Sequence, residues 1–269
     1  MKEDILRRIF VSVLYAGLLL LGPALAQAEE STADSGWDFA VAAYMWGADI
    51  GGSTGTGADI DVSFSDLFSG LNAGFMGSFE ARKDKWLVLT DLVYLDVSAD
   101  DKTEVTIPVG PGLGPGPVPI DITAKTEIDL KGTVFQLAGG YNLLSDGPLK
   151  LDLLAGARYL NLDNKITVDL SAIGRSRKTK FSDDGSVWDG IVGVKGMYAL
   201  NPRWSLPYYA DIGTGQSDFT WQAAAGVAYH AADWVDVAFV YRHLAWDIGN
   251  DFVDDLSFSG PTLGAIFRW

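Results

Sequence analysis

Residues 71–82 read LNAGFMGSFEAR, an alternation of apolar and polar positions with a period of two. Phe75, Phe79 and Ala81 fall on one side of this alternation, and Glu80 and Arg82 fall on the other. Successive side chains of a β-strand point to opposite faces, so the stretch predicts a strand with one apolar and one polar face. A short polar turn, 83–85, then leads to another apolar segment, which is typical of a β-hairpin.

The same rhythm continues along the chain and predicts an all-β protein. Segments rich in Val, Leu, Ile and aromatic residues alternate with clusters of Gly, Asp, Asn and Ser, and almost none shows a helical period. We predict loops at 51–66, 108–119 and 175–180. The ten predicted strands cover residues 37–49, 71–82, 86–98, 125–143, 149–168, 187–200, 204–213, 219–230, 234–246 and 256–269.

The composition excludes several classes of protein. The 269 residues are 48% hydrophobic and 20% charged and include no Cys, which excludes a disordered chain, a disulfide scaffold and a Cys-ligated metal site. Lys and Arg number 20 against 35 Asp and Glu, a net charge of -15, which argues against nucleic-acid binding. A mean hydropathy of +0.13 indicates that part of the surface contacts something apolar.

The N-terminus has the pattern of an export signal. Lys2, Arg7 and Arg8 precede an apolar run over 9–21, and small residues follow at the cleavage positions. The run is shorter than the ~20 residues that span a bilayer. We predict a signal peptide over 1–28, cleaved after Ala28 (or after Ala26), a short segment over 29–36 and a barrel domain over 37–269.

An exported chain without a long apolar helix can enter a membrane only as a closed β-barrel. The predicted connections alternate in length, with short turns near Lys83, Ser145, Asn201 and Ala231, and transmembrane barrels likewise have short periplasmic turns and longer outer loops. We therefore predict a closed antiparallel transmembrane barrel of about ten strands, with eight or twelve as alternatives. A soluble β-sandwich is the competing interpretation.

The last eight residues, TLGAIFRW, carry the most specific motif. Thr262, Gly264, Phe267 and Trp269 fill the polar, glycine, aromatic and terminal aromatic places of the assembly signal of Gram-negative outer-membrane barrels. The chain thus resembles small barrels of the OmpA and OmpW kind. The resemblance implies insertion into the bacterial outer membrane, among lipid and lipopolysaccharide, after recognition by the β-barrel assembly machinery.

If the apolar faces meet lipid, the opposite faces line the interior and place many charges there. Bare charges in a narrow interior are costly, so these groups should pair across the barrel. They form either a structural plug of ion pairs or a selective constriction in a small pore; a wide porin needs about sixteen strands. The predicted interior charges are Asp38, Glu80, Arg82, Asp91, Asp152, Arg158, Asp189, Lys195, Asp211, Asp236, Arg242 and Arg268.

We expect a non-enzymatic protein that supports envelope integrity or binds or passes a small solute. One alternative is a transporter or binder of apolar ligands, which would use the inward-facing Leu87, Leu89, Val93 and Leu95. A second alternative is an outer-membrane hydrolase, for which His243 near Asp247 is the candidate. Neither His243 nor His230, the only other histidine, is expected to lie with a Ser or a carboxylate as a catalytic triad requires.

The predicted outer loops carry charge of both signs. Arg175, Arg177, Lys178 and Lys180 form the one basic cluster, and we hypothesise that it contacts lipopolysaccharide phosphates. The acidic residues do not match a calcium-binding loop, and nothing in the sequence predicts a metal or another cofactor. These acidic residues are Asp59, Asp61, Asp66, Asp247, Asp251, Asp254 and Asp255.

Overall fold

The computed structural model describes residues 36–53, 59–111, 117–172, 175–249 and 254–269; for 99–111, 117–128, 164–172 and 175–184 it describes the backbone alone. Residues 1–35 lie outside the described part, so the export signal and the segment 29–36 stay predictions. The barrel comprises Asp38–Trp269. Among the described residues, no helix is both long enough and apolar enough to cross a membrane.

Twelve strands and one short helix make up the described chain. They are β1 (Asp38–Trp46), β2 (Asp49–Ser53), β3 (Asp59–Val62), α1 (Phe64–Ser69), β4 (Leu71–Lys83), β5 (Trp86–Pro111), β6 (Pro117–Leu144), β7 (Leu149–Ala172), β8 (Arg175–Ala199), β9 (Trp204–Gly215), β10 (Phe219–Ala232), β11 (Val235–Asp247) and β12 (Asp255–Arg268).

Ten of these strands close into a barrel. The order is β1-β4-β5-β6-β7-β8-β9-β10-β11-β12, every pairing is antiparallel, and β1 also pairs with β12. Val41 of β1, for example, lies opposite Phe267 of β12 and opposite Phe79 of β4. The all-β closed antiparallel barrel is therefore confirmed. Closure leaves no unpaired edge within the ring, as a membrane requires.

The segment between β1 and β4 is more ordered than the loop predicted over 51–66. Strand β2 continues β1 along β12, with Ser259 opposite Asp49, and β3 pairs with β2. Helix α1 follows, and the Ser63 hydroxyl caps it by accepting the Asp66 N–H at 3.3 Å. This segment adds two strands and a helix to the outer end of the barrel.

The predicted loops 108–119 and 175–180 are also strand for most of their length. Strands β5 and β6 pair as far as Pro111 and Pro117, and β7 and β8 pair as far as Ala172 and Arg175. Beyond Val97, β5 no longer pairs with β4 and becomes an edge strand. Proline is tolerated at an edge because no ladder hydrogen bond is lost there, so the Pro-rich sequence does not end the hairpin.

The outward face of the barrel is apolar and bounded by aromatic pairs. Near the short turns Trp86 packs on Tyr141 with ring centroids 5.0 Å apart, and towards the other end Tyr159 packs on Trp188 at 4.7 Å. Exposed aliphatic side chains such as Val192 lie between these girdles. Lipid-facing barrels have this arrangement, with the short turns on the periplasmic side.

Candidate functional site: the barrel interior

Side chains alternate between the two faces of each strand, and this alternation, which we call strand parity, places eleven of the twelve predicted interior charges in the lumen. Arg82, Asp152 and Asp236 engage partners on other strands, as do most of the set. Asp38, in contrast, is exposed at the first position of β1. Asp189 faces inward and is buried, but its carboxylate accepts the Ser217 N–H at 2.9 Å instead of pairing with a described cation.

Arg158 is the centre of one buried network. Its guanidinium donates to the Thr220 hydroxyl at 3.0 Å and to the Gln136 side-chain oxygen at 2.9 Å, and it pairs with Asp211. The Tyr209 hydroxyl donates to the same Asp211 carboxylate at 2.5 Å. The side chains of Arg158 and Asp211 are fully buried, and a buried ion pair of this kind needs such additional hydrogen bonds.

Arg242 is the centre of a second network at a similar depth. It donates to Asp91 at 2.9 Å, to the Gln222 side-chain oxygen at 3.0 Å and to the Tyr44 hydroxyl at 3.0 Å. Its guanidinium also lies 4.5 Å from the centroid of the Trp46 ring, a cation–π contact. We call the networks of Arg158 and Arg242 the arginine layer.

An apolar cluster fills the lumen on the outer side of the arginine layer. It joins opposite walls of the barrel, since Val134 of β6 and Trp246 of β11 belong to it, and α1 adds Leu67. The Arg158 guanidinium lies 5.8 Å from the Trp246 ring centroid, so the two layers are in contact. We call this cluster the apolar plug; its buried members are Trp46, Ala48, Ile50, Leu67, Val93, Val97, Val134, Leu160, Leu244, Trp246 and Leu256.

On the inner side of the arginine layer, towards the short turns, the lumen is lined by charges. Arg82 bonds Asp152 at 2.7 Å and Glu80 at 3.0 Å, and Lys195 pairs with Glu80. The amide of Asn142 donates to Asp152 at 2.7 Å. The Arg82 guanidinium thus joins two carboxylates that lie far apart in sequence.

A second group of charges lines the same end of the lumen. Arg268 pairs with one oxygen of Asp236, and His230 Nδ1 lies 2.8 Å from the other. Together with the Arg82 group these residues form what we call the vestibule, namely Glu80, Arg82, Asp152, Lys195, His230, Asp236 and Arg268.

Solvent exposure increases from the arginine layer to the vestibule. The exposed fraction of the side chain is 0% at Arg158 and 8% at Arg242, but 29% at Lys195 and 39% at Arg268. The lumen is therefore open to solvent at the short-turn end, and the exposure falls to zero at Arg158 in the arginine layer. Chemically, the vestibule can offer hydrogen bonds and charge to a solute.

Several interior polar residues were missed by the sequence analysis. Tyr44, Gln136, Tyr209, Thr220 and Gln222 all bond the two buried arginines or their carboxylates. Tyr44 and Tyr209 share the alternation of Asp38 and Asp211 on their own strands, which could have identified them, whereas Gln136, Thr220 and Gln222 lie on β6 and β10, where no interior charge was predicted. Charge alone therefore identifies only part of the interior polar network, because neutral side chains bond the same groups.

The residues of the assembly motif divide between the two faces of β12. Thr262 and Gly264 share the inward parity of Arg268, while Phe267 faces outward and stacks on Trp234 with centroids 6.0 Å apart. A Cβ on Gly264 would lie 2.6 Å from the Cβ of Tyr44, so glycine leaves room for Tyr44. Recognition of this strand by the assembly machinery stays a prediction.

Each histidine lies beside one of the groups that a catalytic triad needs, but the two pairs are separate, so the expectation that neither histidine forms a triad stays a prediction. His243 Nδ1 is 2.5 Å from the Ser259 hydroxyl on the outward face, and His230 contacts Asp236 in the vestibule. Directly opposed positions on paired strands bring His243 and Ser259 together, as they do His230 and Asp236. Sequence separation conceals such cross-strand pairs.

The apolar route predicted along β5 is not an open one. Leu87 and Leu89 face the lumen but are buried with Leu154, while Val93 belongs to the apolar plug and Leu95 packs against it. Inward parity was correct for these residues. Their side chains are occupied by contacts across the lumen, which the parity of a single strand does not reveal.

The predicted outer charges lie on ordered elements. Arg175, Arg177, Lys178 and Lys180 belong to β8, not to a loop, and their side chains are outside the described part, so contact with lipopolysaccharide stays a prediction. Asp59 and Asp61 lie in β3, Asp66 lies in α1, Asp247 ends β11, Asp254 and Asp255 lie where β12 begins, and Asp251 is outside the described residues. Within the described part of the chain, no group of three or more His, Asp or Glu side chains is placed to hold a metal.

Comparison with known proteins finds similarity in fold only. No protein-family model matches the sequence, and no curated protein is significantly similar to it. Among solved structures, the outer membrane protease OmpT from Escherichia coli is 10% identical with a TM-score of 0.48, over 89% of this chain and 98% of that one. The translocator domain of the autotransporter NalP from Neisseria meningitidis is 13% identical with a TM-score of 0.42, over 97% and 96%. The P. putida toluene transporter TodX is 11% identical with a TM-score of 0.32, over 87% and 90%.

The class of the protein follows from the geometry of this chain. A closed ten-stranded antiparallel sheet with an apolar outer face, two aromatic girdles and short turns at one end defines an integral β-barrel of the bacterial outer membrane.

Proposed function

We propose that the protein is a non-enzymatic outer-membrane barrel that binds a small solute in its vestibule from the periplasmic side. The observation that carries this proposal is the increase in exposure from Arg158, which is fully buried, to Arg268, which is 39% exposed. A lumen that admits water from one end only is suited to binding. It is not suited to steady conduction.

The apolar plug supports binding over conduction. Ions cross a narrow hydrophobic constriction poorly because it excludes water, and the plug contains Trp46, Leu160, Leu244 and Trp246, all buried. Barrels of about eight to ten strands are generally filled by side chains. Passage of a solute through this barrel would therefore require the plug to move.

Single cysteines test this proposal cleanly because the chain has none of its own. Ala40 lies opposite both Glu80 and Arg268, and Leu244 lies in the plug. The protein is first refolded in lipid vesicles and then transferred to nanodiscs. In the nanodiscs, a charged thiol reagent should modify Ala40→Cys quickly and Leu244→Cys slowly. Val192→Cys, on the lipid-facing surface, is the control for protection by lipid.

Equal rapid modification of the Ala40 and Leu244 cysteines would show that water passes the plug, and the proposal would fail. Protection of both cysteines would show that the vestibule is closed to solutes, which also contradicts it. A heat-modifiable band on gel electrophoresis confirms that each variant is folded.

A second candidate function is hydrolysis of an ester at the membrane surface, favoured by the pair His243 and Ser259. The 2.5 Å contact would let the imidazole accept the hydroxyl proton, and the nearby Trp221 ring, 4.5 Å from that of His243, lies at the outer girdle where lipid esters are found. Release of fatty acid from phospholipid vesicles, lost in Ser259→Ala, would support it. No release by the unaltered protein would reject it.

A further inference from the structure

The vestibule contains three ion-paired cations and three carboxylates, and its charge is formally balanced. Arg82 pairs with Asp152 and Glu80, Lys195 pairs with Glu80, and Arg268 pairs with Asp236. The distribution of these charges between wall and lumen, however, is uneven.

The cations are exposed and the carboxylates are not. The side chains of Arg82, Lys195 and Arg268 are 26%, 29% and 39% exposed, whereas those of Glu80, Asp152 and Asp236 are 17%, 5% and 7% exposed. Each carboxylate therefore lies against the wall behind its cation. Among the residues of the vestibule the solvent-accessible charge is therefore positive; the exposed carboxylates at this end, Asp38 opposite Arg82 and Asp233 beside His230, lie at the strand ends.

Lys195 and Arg268 also have donors to spare. A lysine ammonium has three donors and an arginine guanidinium has five. Among the described residues, the side chain of Lys195 contacts Glu80 and that of Arg268 contacts Asp236 through Nη1. The two cations lie on the same side of the vestibule, because Lys195 pairs with Glu80, and Glu80 and Arg268 lie on either side of Ala40; an anion placed between the cations would relieve their mutual repulsion.

Next to these cations, one wall of the lumen carries small side chains. The inward positions of β1, β10, β11 and β12 between Arg268 and the arginine layer carry mostly small residues, together with Val240 and Ile266, whereas the facing wall carries the larger Leu87, Leu154 and Tyr209. These small residues offer an apolar surface without bulk. They are the part-exposed Ala42, Ala224 and Gly226 and the buried Ala228 and Ala238, whereas Gly264 lies beneath Tyr44.

At the arginine layer, this wall ends at a hydrogen-bond donor that has no partner among the described residues. Arg242 lies opposite Ala224, and its buried Nε has no hydrogen-bond partner among the described residues. A buried donor without a partner costs about 1–3 kcal/mol. The wall is therefore bounded by exposed cations at the short-turn end and by a hydrogen-bond donor at the arginine layer.

We propose that the vestibule binds a small organic carboxylate, with the anionic group between Lys195 and Arg268 and the apolar body against the wall of small residues. This inference rests on the proposed function and specifies its ligand class. The exposed cations select the charge of the ligand, and the small wall selects an apolar body over a bare inorganic anion.

Calorimetric titration of the protein in zwitterionic nanodiscs tests this inference with four probes: phenylacetate, 2-phenylethanol, 2-phenylethylamine and inorganic phosphate. Phenylacetate should bind at least about tenfold more tightly than the other three. Empty nanodiscs measure partitioning into lipid.

Variants locate the binding. Lys195→Gln and Arg268→Gln should each weaken phenylacetate binding about fivefold or more, while Lys195→Arg should retain it. Arg203→Gln, which removes an exposed cation on a turn at the same end, should change nothing. Ala42→Leu keeps every charge but fills the small wall and should also weaken binding.

The other outcomes separate the inference from the proposed function. Equal binding of phenylethanol that is insensitive to Lys195 and Arg268 would overturn the selection of anions but leave a solute-binding vestibule. Phosphate binding as tightly as phenylacetate would overturn the role of the small wall. Absence of binding by all four probes, in protein that passes the cysteine test, would overturn the inference alone.

Discussion

The two halves of the barrel interior are filled in different ways. In the outer half, Trp46, Leu160 and Leu244 are buried in the apolar plug, whereas in the inner half charged groups such as Lys195 are exposed to solvent. Both halves are built on the same ten strands with the same outward face. The difference shows that a barrel wall suited to lipid leaves its interior free to be either a core or a binding surface.

The arginine layer lies between these halves, and substitutions there should reduce the stability of the protein most. Arg158→Ala leaves Asp211 buried without its cation and also removes bonds to Gln136 and Thr220. We expect the free energy of unfolding to fall by about 3–5 kcal/mol. Urea titration of the protein in lipid vesicles, followed by Trp fluorescence, measures it.

A double variant tests whether the unpaired buried charge causes this loss of stability. Replacing both members of the pair, Arg158→Met with Asp211→Leu, removes the buried charges together and should recover a large part of the loss. If the double variant is as unstable as the sum of the two single variants, the buried ion pair is not the origin of the effect.

The plug should respond as a protein core does. Leu244→Ala removes a fully buried side chain and leaves a cavity, so we expect a loss of about 2–5 kcal/mol in the same urea titration. Leu153→Ala, on the outward face, is the matched control, because lipid fills the space that it leaves. Equal losses in the two variants would contradict a packed plug.

Gly264 should tolerate a side chain poorly because Tyr44 crosses it. In Gly264→Val the new Cβ would displace Tyr44, whose hydroxyl bonds Asp91 at 2.7 Å, and we expect a loss of about 1–3 kcal/mol. Gly139→Val is the control, since nothing lies within 4 Å of a Cβ at Gly139. A thermal melt of the folded band on gels compares the two.

The vestibule should contribute least to stability. Arg82 is partly exposed, and Asn142 still bonds Asp152 when Arg82 is replaced, so Arg82→Gln should cost about 1 kcal/mol or less. High salt should reduce the difference from the unaltered protein. A loss as large as that of Arg158→Ala would remove the distinction between the two halves.

The strand pattern was predictable because strand parity is local. The clean alternation over 71–82 corresponds to β4, Leu71–Lys83, and the short turns near Asp84 and Asn201 are where the sequence places them. At Asp84 the backbone has a φ of 53°, a conformation that aspartate tolerates better than most residues. Ring closure then follows from export without an apolar helix.

The interior partnerships were not predictable from local pattern. Arg242 pairs with Asp91, 151 residues away, and Arg158 pairs with Asp211 across neighbouring parts of the ring. Which long side chains meet across the lumen depends on the stagger of the strands, and the sequence does not give that stagger. The segment of β2, β3 and α1 was missed because its Gly, Thr and Asp residues are equally typical of a loop.

Single-channel recording in a planar lipid bilayer shows whether the apolar plug closes the lumen. We expect the folded, unaltered protein to give a flat current trace and Trp246→Ala, which removes the largest fully buried side chain of the plug, to give a measurable leak. Reproducible conductance steps from the unaltered protein would contradict this expectation, because ions would then be crossing the cluster formed by Trp46, Leu244 and Trp246.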